Sequence, residues 1–371
     1  MKYKIISNTL KRLSQIVKVE YGYRRKLFVL KELIFSLTYK CNFRCKTCYY
    51  ANSMDNSAVI GDKELNLDEI KKISLSIKYF SNLLISGGEP FLRDDLADIC
   101  EVFYLQNKIR TIHLPTNGFH TEKIYDYTRK ILTKCRQVHL SIGLSLDGLR
   151  ETHDKIKGVN GSFDKTLETA KSLAALKKEF KNLKLYIITT VNSLNLNEII
   201  ALSEFIKNNL PVHGHEPSPM RGIPYDRALF PPSYEEWSEL SKKLQYYHNY
   251  WNRKLFRSKL KSFLETNRVR YLYKIYSRIL KDKTMPFRCQ AGNIIGVLEP
   301  NGDIKLCELT ETVGNVRSCD YDFRKVWFSK VANLRRETIK SCACTHACFL
   351  SPSISVNPPA LLGSYFCLKR R

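Results

Sequence analysis

The chain is short of acidic residues, of long apolar runs and of simple sequence. No apolar run approaches the roughly 18 residues that a membrane-crossing helix needs, so no spanning segment is expected. There is no internal repeat and no low-complexity tract, and 43% of the residues are hydrophobic and 11% aromatic. Disordered, collagen-like and coiled-coil chains are thereby excluded. Residues 1–16 alternate Lys and Arg with apolar side chains and lack an apolar h-region with a small-residue cleavage site. A cytoplasmic chain is expected on that ground. Its 371 residues suffice for a barrel-sized core and an appendage.

Acids number 36 against 61 Lys and Arg, a formal charge of +25. The excess is local. Residues 1–40 hold ten basic and two acidic side chains, and residues 241–288 hold fourteen and two. The second stretch interleaves its cations with Tyr246, Tyr247, Tyr250, Trp251, Phe256, Tyr271, Tyr273 and Tyr276. Three readings compete for it: a solvated face over a packed stripe, adhesion to an anionic membrane, and nucleic-acid binding. No recognised RNA-binding motif accompanies the charge, which ranks nucleic acid last.

From about Glu32 to Glu216 apolar, β-branched runs alternate with helical patterns. Strands are predicted at Leu33–Thr38, Asn82–Ser86, Thr111–Pro115, Val138–Leu146, Leu183–Val191 and Val212–His215. Helical stretches separate them, so parallel βα units are expected, in a partial barrel or a doubly wound sheet. Prolines 217, 219, 224, 231 and 232 are read as punctuation closing this unit. Residues 233–283 read as basic helices, and beyond Met285 helical periodicity fades while seven of the twelve cysteines appear.

So many cysteines in a cytoplasmic chain point to metal or redox chemistry. Cys41, Cys45 and Cys48 follow the first strand with the spacing Cys-x3-Cys-x2-Cys. Three thiolates on a tight loop suit a 4Fe–4S cube whose last iron stays open to a small molecule. Structural zinc would need a fourth ligand at fixed spacing, and no Cys or His follows closely. This loop resembles the signature of the radical S-adenosylmethionine (SAM) superfamily, although Thr47 stands where that pattern often has an aromatic residue.

The resemblance implies an α/β fold, a partial (β/α)6 TIM-type barrel. It also implies SAM and a 4Fe–4S cluster as cofactors, and an external electron donor such as flavodoxin or ferredoxin as partner. Gly87-Gly88-Glu89-Pro90 ends the second strand and is similar to the family's site for the SAM amino group, which assigns Gly87, Gly88 and Glu89 to it. By the same resemblance Thr116 and Ser145 approach the SAM carboxylate and ribose, and Asn192 contacts the cofactor. Lys157 stands where relatives often carry Arg and receives no role. His215, Glu216 and Arg221 follow the sixth strand, where a substrate could be read or a surface pair satisfied.

Cys289, Cys307, Cys342, Cys344 and Cys348 resemble the auxiliary-cluster extension called SPASM or its shorter form, twitch. Asn301-Gly302 predicts a hairpin turn that brings Cys289 and Cys307 together. The second group is shorter than the full SPASM pattern. The resemblance thus implies one auxiliary 4Fe–4S cluster on Cys289, Cys307 and two of the other three. A further, incomplete cluster would use the leftover cysteine with Cys367 and Cys319. A zinc ribbon is the competing assignment. Cys100 and Cys135 read as small buried hydrophobes.

The chain thus divides into a basic extension (1–32), a radical SAM core (33–220), a basic aromatic helical linker (221–284) and a cysteine-rich cluster domain (285–371). The family's members with this extension imply an oxidoreductase that matures a peptide or protein. Alternatives are the modification of a sugar, aminocyclitol or lipid-linked anionic substrate, and a non-catalytic iron–sulfur or zinc protein.

Overall fold

The structure, a computed structural model, describes residues 29–55, 64–339 and 342–367. Six parallel strands form its centre: β1 (Glu32–Ser36), β2 (Asn82–Ser86), β3 (Thr111–Thr116), β4 (His139–Ser145), β5 (Leu183–Val191) and β6 (Gly214–Pro219). Between them lie α1 (Ala51–Asp55), α2 (Leu67–Ile77), α3 (Leu96–Asn107), α4 (Thr121–Lys134), α5 (Arg150–Lys157), α6 (Ser162–Leu176) and α7 (Ile199–Asn209). The strand order runs β6-β5-β4-β3-β2-β1, each neighbour parallel, as an α/β unit of repeated crossovers requires.

Alternation along the strands explains the layering. Leu33, Phe35, Leu83, Ile85, Ile112, Leu114, Leu140 and Ile142 are buried on one face of the sheet. Each such side chain contributes roughly 2 kcal/mol by leaving water. The opposite face of β2 to β5 is half-buried and more polar, with Asn82, Ser86, Ser141 and Thr190. Helix starts are set by local chemistry. Asn66 accepts from the Glu69 N–H while Glu69 accepts from the Asn66 N–H, a capping box opening α2.

Two sequence expectations shift. Pro217 and Pro219 do not follow the sixth strand but lie inside it, where β6 is the sheet edge and missing N–H groups cost least. The stretch beyond Met285 is richer in helix than its periodicity implied. After α8 (Tyr234–Leu255) and α9 (Lys259–Asp282) come β7 (Ile295–Leu298), β8 (Asp303–Lys305) and β9 (Thr312–Asn315). Four short helices follow: α10 (Phe323–Trp327), α11 (Lys330–Thr338), α12 (Ala347–Val356) and α13 (Pro358–Tyr365). They are too short and irregular for a clear 3.6-residue signal; α12 even holds Pro352.

β7 pairs in parallel with β1, so the C-terminal segment extends the barrel's own sheet to nine strands. The β7–β8 hairpin turns at Asn301-Gly302, with Gly302 at φ 89°. Cys100 and Cys135 are buried against each other in the core. No helix among the described residues is long and apolar enough to cross a membrane. The basic residues 1–28 lie outside the described residues.

Candidate functional site

The cysteine loop leaves β1 and is fastened to the end of β2. The Leu37 N–H donates to the Ser86 carbonyl at 2.9 Å, Gly88 to Thr38 at 2.7 Å and Glu89 to Lys40 at 2.9 Å. This approach explains the paired glycines. A Cβ on Gly87, at φ 103°, would sit 2.6 Å from the Thr38 oxygen, and one on Gly88 only 2.1 Å from that of Lys40. In this structure both glycines are required by the loop's own backbone.

Cys41, Cys45 and Cys48 gather here, Cys41 feeling the charge of the other two and Cys45 that of Cys48. Burial pushes the Cys41 thiol up to about 12 and the Cys45 thiol up to about 11. Thiolates so placed need compensating positive charge, which iron supplies. Among the described residues no three His, Cys, Asp or Glu side chains converge on a single ion. A four-iron cube spreads its ligands over separate corners, so this donor set fits a cluster.

Glu89 lies beside the loop, fully enclosed, and accepts from Thr116 Oγ1 at 2.9 Å and from the Asn117 N–H at 2.8 Å. Burial lifts its carboxyl to about 7, against the pull of these donors. Thr116 therefore holds Glu89. Lys157, given no role from the sequence, sits buried at 2.7 Å from Asp147. Burial opposes its charge, but Asp147 and the thiols of Cys45 and Cys41 outweigh that and keep it protonated. A buried cation thus faces the cysteines and Glu89.

Other expected site residues fare differently. Ser145 ends β4 half-buried on the polar face. Asn192 closes the turn after β5, its Oδ1 accepting from the Leu194 N–H and its Nδ2 donating to the Thr190 carbonyl, both at 2.9 Å. His215 is not in the mouth: it is buried between Thr189 and Ser203 at 2.8 and 2.9 Å. Glu216, its neighbour, takes the opposite side of the strand and is exposed. The Arg221 guanidinium lies 5.3 Å from the Tyr49 ring centre.

Cys289, Cys307, Cys342 and Cys344 meet as a second group, drawn from three segments. Burial raises Cys289 to about 11, and Cys342 shares a hydrogen bond with Cys344 that lowers the latter to about 7. Cys348, expected among the ligands, lies beside Arg221 and Glu308. It lies in the first turn of α12. Cys319 lies near Ser318 and Cys367 near Tyr271.

Glu308 joins the two groups, a residue the sequence reasoning missed. Its Oε1 accepts from Tyr49 Oη at 2.8 Å and from Ser86 Oγ at 2.9 Å, and its Oε2 lies 2.6 Å from His346 Nε2. Against the cost of burial, His346, Arg221 and Tyr49 hold the Glu308 carboxyl down at about 2. Burial, then Arg221, keeps His346 neutral, near 4. Its Nε2–H is therefore the donor to Glu308, leaving Nδ1 buried without a partner. The available signal was adjacency: Tyr49 follows Cys48, Glu308 follows Cys307, and His346 is two residues beyond Cys344.

The family model of the radical SAM superfamily matches residues 35–206, from the end of β1 through most of α7. Residues 35–206 thus resemble a radical SAM domain. The family uses a 4Fe–4S cluster and SAM, and the three-cysteine loop with Glu89 fits that pair. Over 178 residues the chain is 31% identical to Fe-coproporphyrin III synthase of Methanosarcina barkeri, covering 47% of this chain and 40% of that one. It is 28% identical over 216 residues to GTP 3′,8-cyclase of Vibrio vulnificus, covering 54% and 56%. The chain thus spans about half the length of these curated relatives.

Two solved structures extend the likeness beyond the radical SAM domain. SuiB of Streptococcus suis aligns with TM-score 0.58 at 16% identity, over 90% of this chain and 73% of that one. The structure titled native anSMEcpe with bound AdoMet and Cp18Cys peptide aligns with TM-score 0.53 at 15% identity, over 82% and 81%. At such identities the likeness is one of fold.

Proposed function

We propose that this chain is a radical SAM oxidoreductase that oxidises or cross-links a peptide or protein, with an auxiliary 4Fe–4S cluster on Cys289, Cys307, Cys342 and Cys344. One observation carries the reading: four cysteines from three segments meet beside the radical SAM domain, linked to the Cys41–Cys48 loop through Glu308. The fold likeness to a protein described with a bound peptide supports the substrate class.

When bound, SAM and the first cluster supply reductive cleavage of the C5′–S bond and a 5′-deoxyadenosyl radical that takes hydrogen from substrate. The chain's residues prepare that step. Cys41, Cys45 and Cys48 would hold that cluster. Glu89 is placed to receive an ammonium group. Lys157 and Asp147 set the charge beside the thiols. Tyr39 and Tyr50 stack at 5.8 Å beside the loop. Glu308, ionised and held by three donors, fixes Tyr49 relative to the second cysteine group.

The test is anaerobic reconstitution with iron and sulfide, followed by reductant and SAM. 5′-Deoxyadenosine is expected, and Cys45→Ala abolishes it. Iron should approach about eight atoms per chain and fall to about four in the double variant Cys342→Ala/Cys344→Ala. No 5′-deoxyadenosine from iron-loaded protein would leave a non-catalytic iron–sulfur protein. Zinc in place of the second four irons would replace the auxiliary cluster by a zinc ribbon.

A further inference from the structure

A second organised surface lies at the opposite end of the barrel from the cysteine loop. All six parallel strands begin there. The hairpin of α8 and α9 also reaches it, with a short turn, Phe256–Ser258. Its position is fixed by its neighbours: Lys254 faces Lys177 and His213, and Lys261 faces Lys184 at the start of β5.

Like charges crowd here. Between Glu239 and Glu265 the chain holds Lys242, Lys243, Arg253, Lys254, Arg257, Lys259 and Lys261 and no acid at all. Burial and then the facing cations lower the pKa of Lys177 and Lys184. Lys177 Nζ donates to the Pro211 carbonyl at 3.1 Å. The acids Asp55, Asp94 and Asp226 stand at the other end, paired with Arg44, Lys123 and Lys46.

Apolar side chains stand exposed among these cations. On the first turns of α9, Leu260 is 56% and Phe263 47% exposed. Tyr246 is exposed on α8, and Val29, Tyr79 and Leu105 are exposed where the chain approaches β1, β2 and β3. Phe366 adds to the patch at 72% exposure. It ends α13, whose Tyr365 carbonyl accepts from Asn267 at 2.9 Å, one turn from Phe263.

We propose that this face docks on an anionic lipid bilayer. The Lys and Arg side chains meet phosphate headgroups, and Leu260 and Phe263 enter the acyl boundary. Exposed leucine beside phenylalanine suits a bilayer better than nucleic acid, whose bases call for planar rings. Docked so, the protein lies on the membrane without spanning it, and the cysteine loop faces the aqueous side. The inference stands apart from the reaction.

The experiment is flotation of the full chain with phosphatidylglycerol-containing phosphatidylcholine vesicles and with pure phosphatidylcholine vesicles. Binding is expected only to the acidic vesicles and falls with salt. Lys254→Glu/Lys261→Glu should weaken it tenfold or more, at about tenfold per charge or somewhat less. Leu260→Ser/Phe263→Ser should remove the part that persists in salt. Unchanged circular dichroism and unchanged iron loading show that each variant folds. No binding to acidic vesicles at low salt, or equal binding to pure phosphatidylcholine, overturns the proposal. Tight binding of a single-stranded oligonucleotide without vesicle binding overturns it in favour of nucleic acid.

Discussion

The hydroxyl of Tyr49, next in sequence to Cys48, donates at 2.8 Å to Glu308, next in sequence to Cys307. Two cysteine groups are thereby fixed to each other through one buried carboxylate, across 259 residues of chain. Glu308→Ala should strand His346 and Tyr49 without their acceptor and lower stability by about 3 kcal/mol. Glu308→Gln keeps an acceptor oxygen and should lose less. Thermal melts of the two variants against the parent check the order.

The glycine pair predicts a steric failure at one position and tolerance at another. Gly88→Ala puts a Cβ against the Lys40 carbonyl and should displace the cysteine loop, with loss of bound iron on reconstitution. Gly161→Ala, at φ 78° but with nothing within 4 Å, should cost only about 1–2 kcal/mol and load iron normally. Iron content separates the two.

Lys157 and Asp147 form a buried ion pair beside the thiols. Lys157→Met leaves Asp147 charged and enclosed, a loss of about 3–5 kcal/mol. Lys157→Met/Asp147→Leu should recover much of that stability, but not the charge that faces Cys45 and Glu89. Chemical denaturation of both variants and 5′-deoxyadenosine yield distinguish the structural from the electrostatic part.

Glu32 offers a pH signature. Burial raises its carboxyl from 4.5 to about 7, with Asn82 donating at 3.2 Å in partial compensation. Because the folded state holds the proton more tightly, its contribution is full below about pH 4.5 and is lost as pH rises through about 7. The loss amounts to about 3 kcal/mol at most. Glu32→Gln should remove this dependence, so the variant gains on the parent between pH 5 and pH 8. Thermal melts across that range test the sign.

The strands of the barrel were legible because a parallel sheet covered by helices imposes alternation. Leu183–Val191 and Asn82–Ser86 match their predicted bounds. The cysteine loop was legible because its ligands are local, three within eight residues. β6 was misplaced at its end, since prolines read as breakers until the strand is known to be an edge. His215 and Glu216 could not be sorted from sequence, for adjacent residues on a strand face opposite sides, and only pairing tells which side is covered.

Local pattern thus determined the βα succession, the three-thiol loop and the uneven charge, because each depends on residues a few positions apart. Folding alone decided that Cys342 and Cys344 stand with Cys289 and Cys307, and that Glu308 reaches Tyr49. Those contacts depend on how β7 docks on β1 and where α12 starts, which are matters of packing between distant segments.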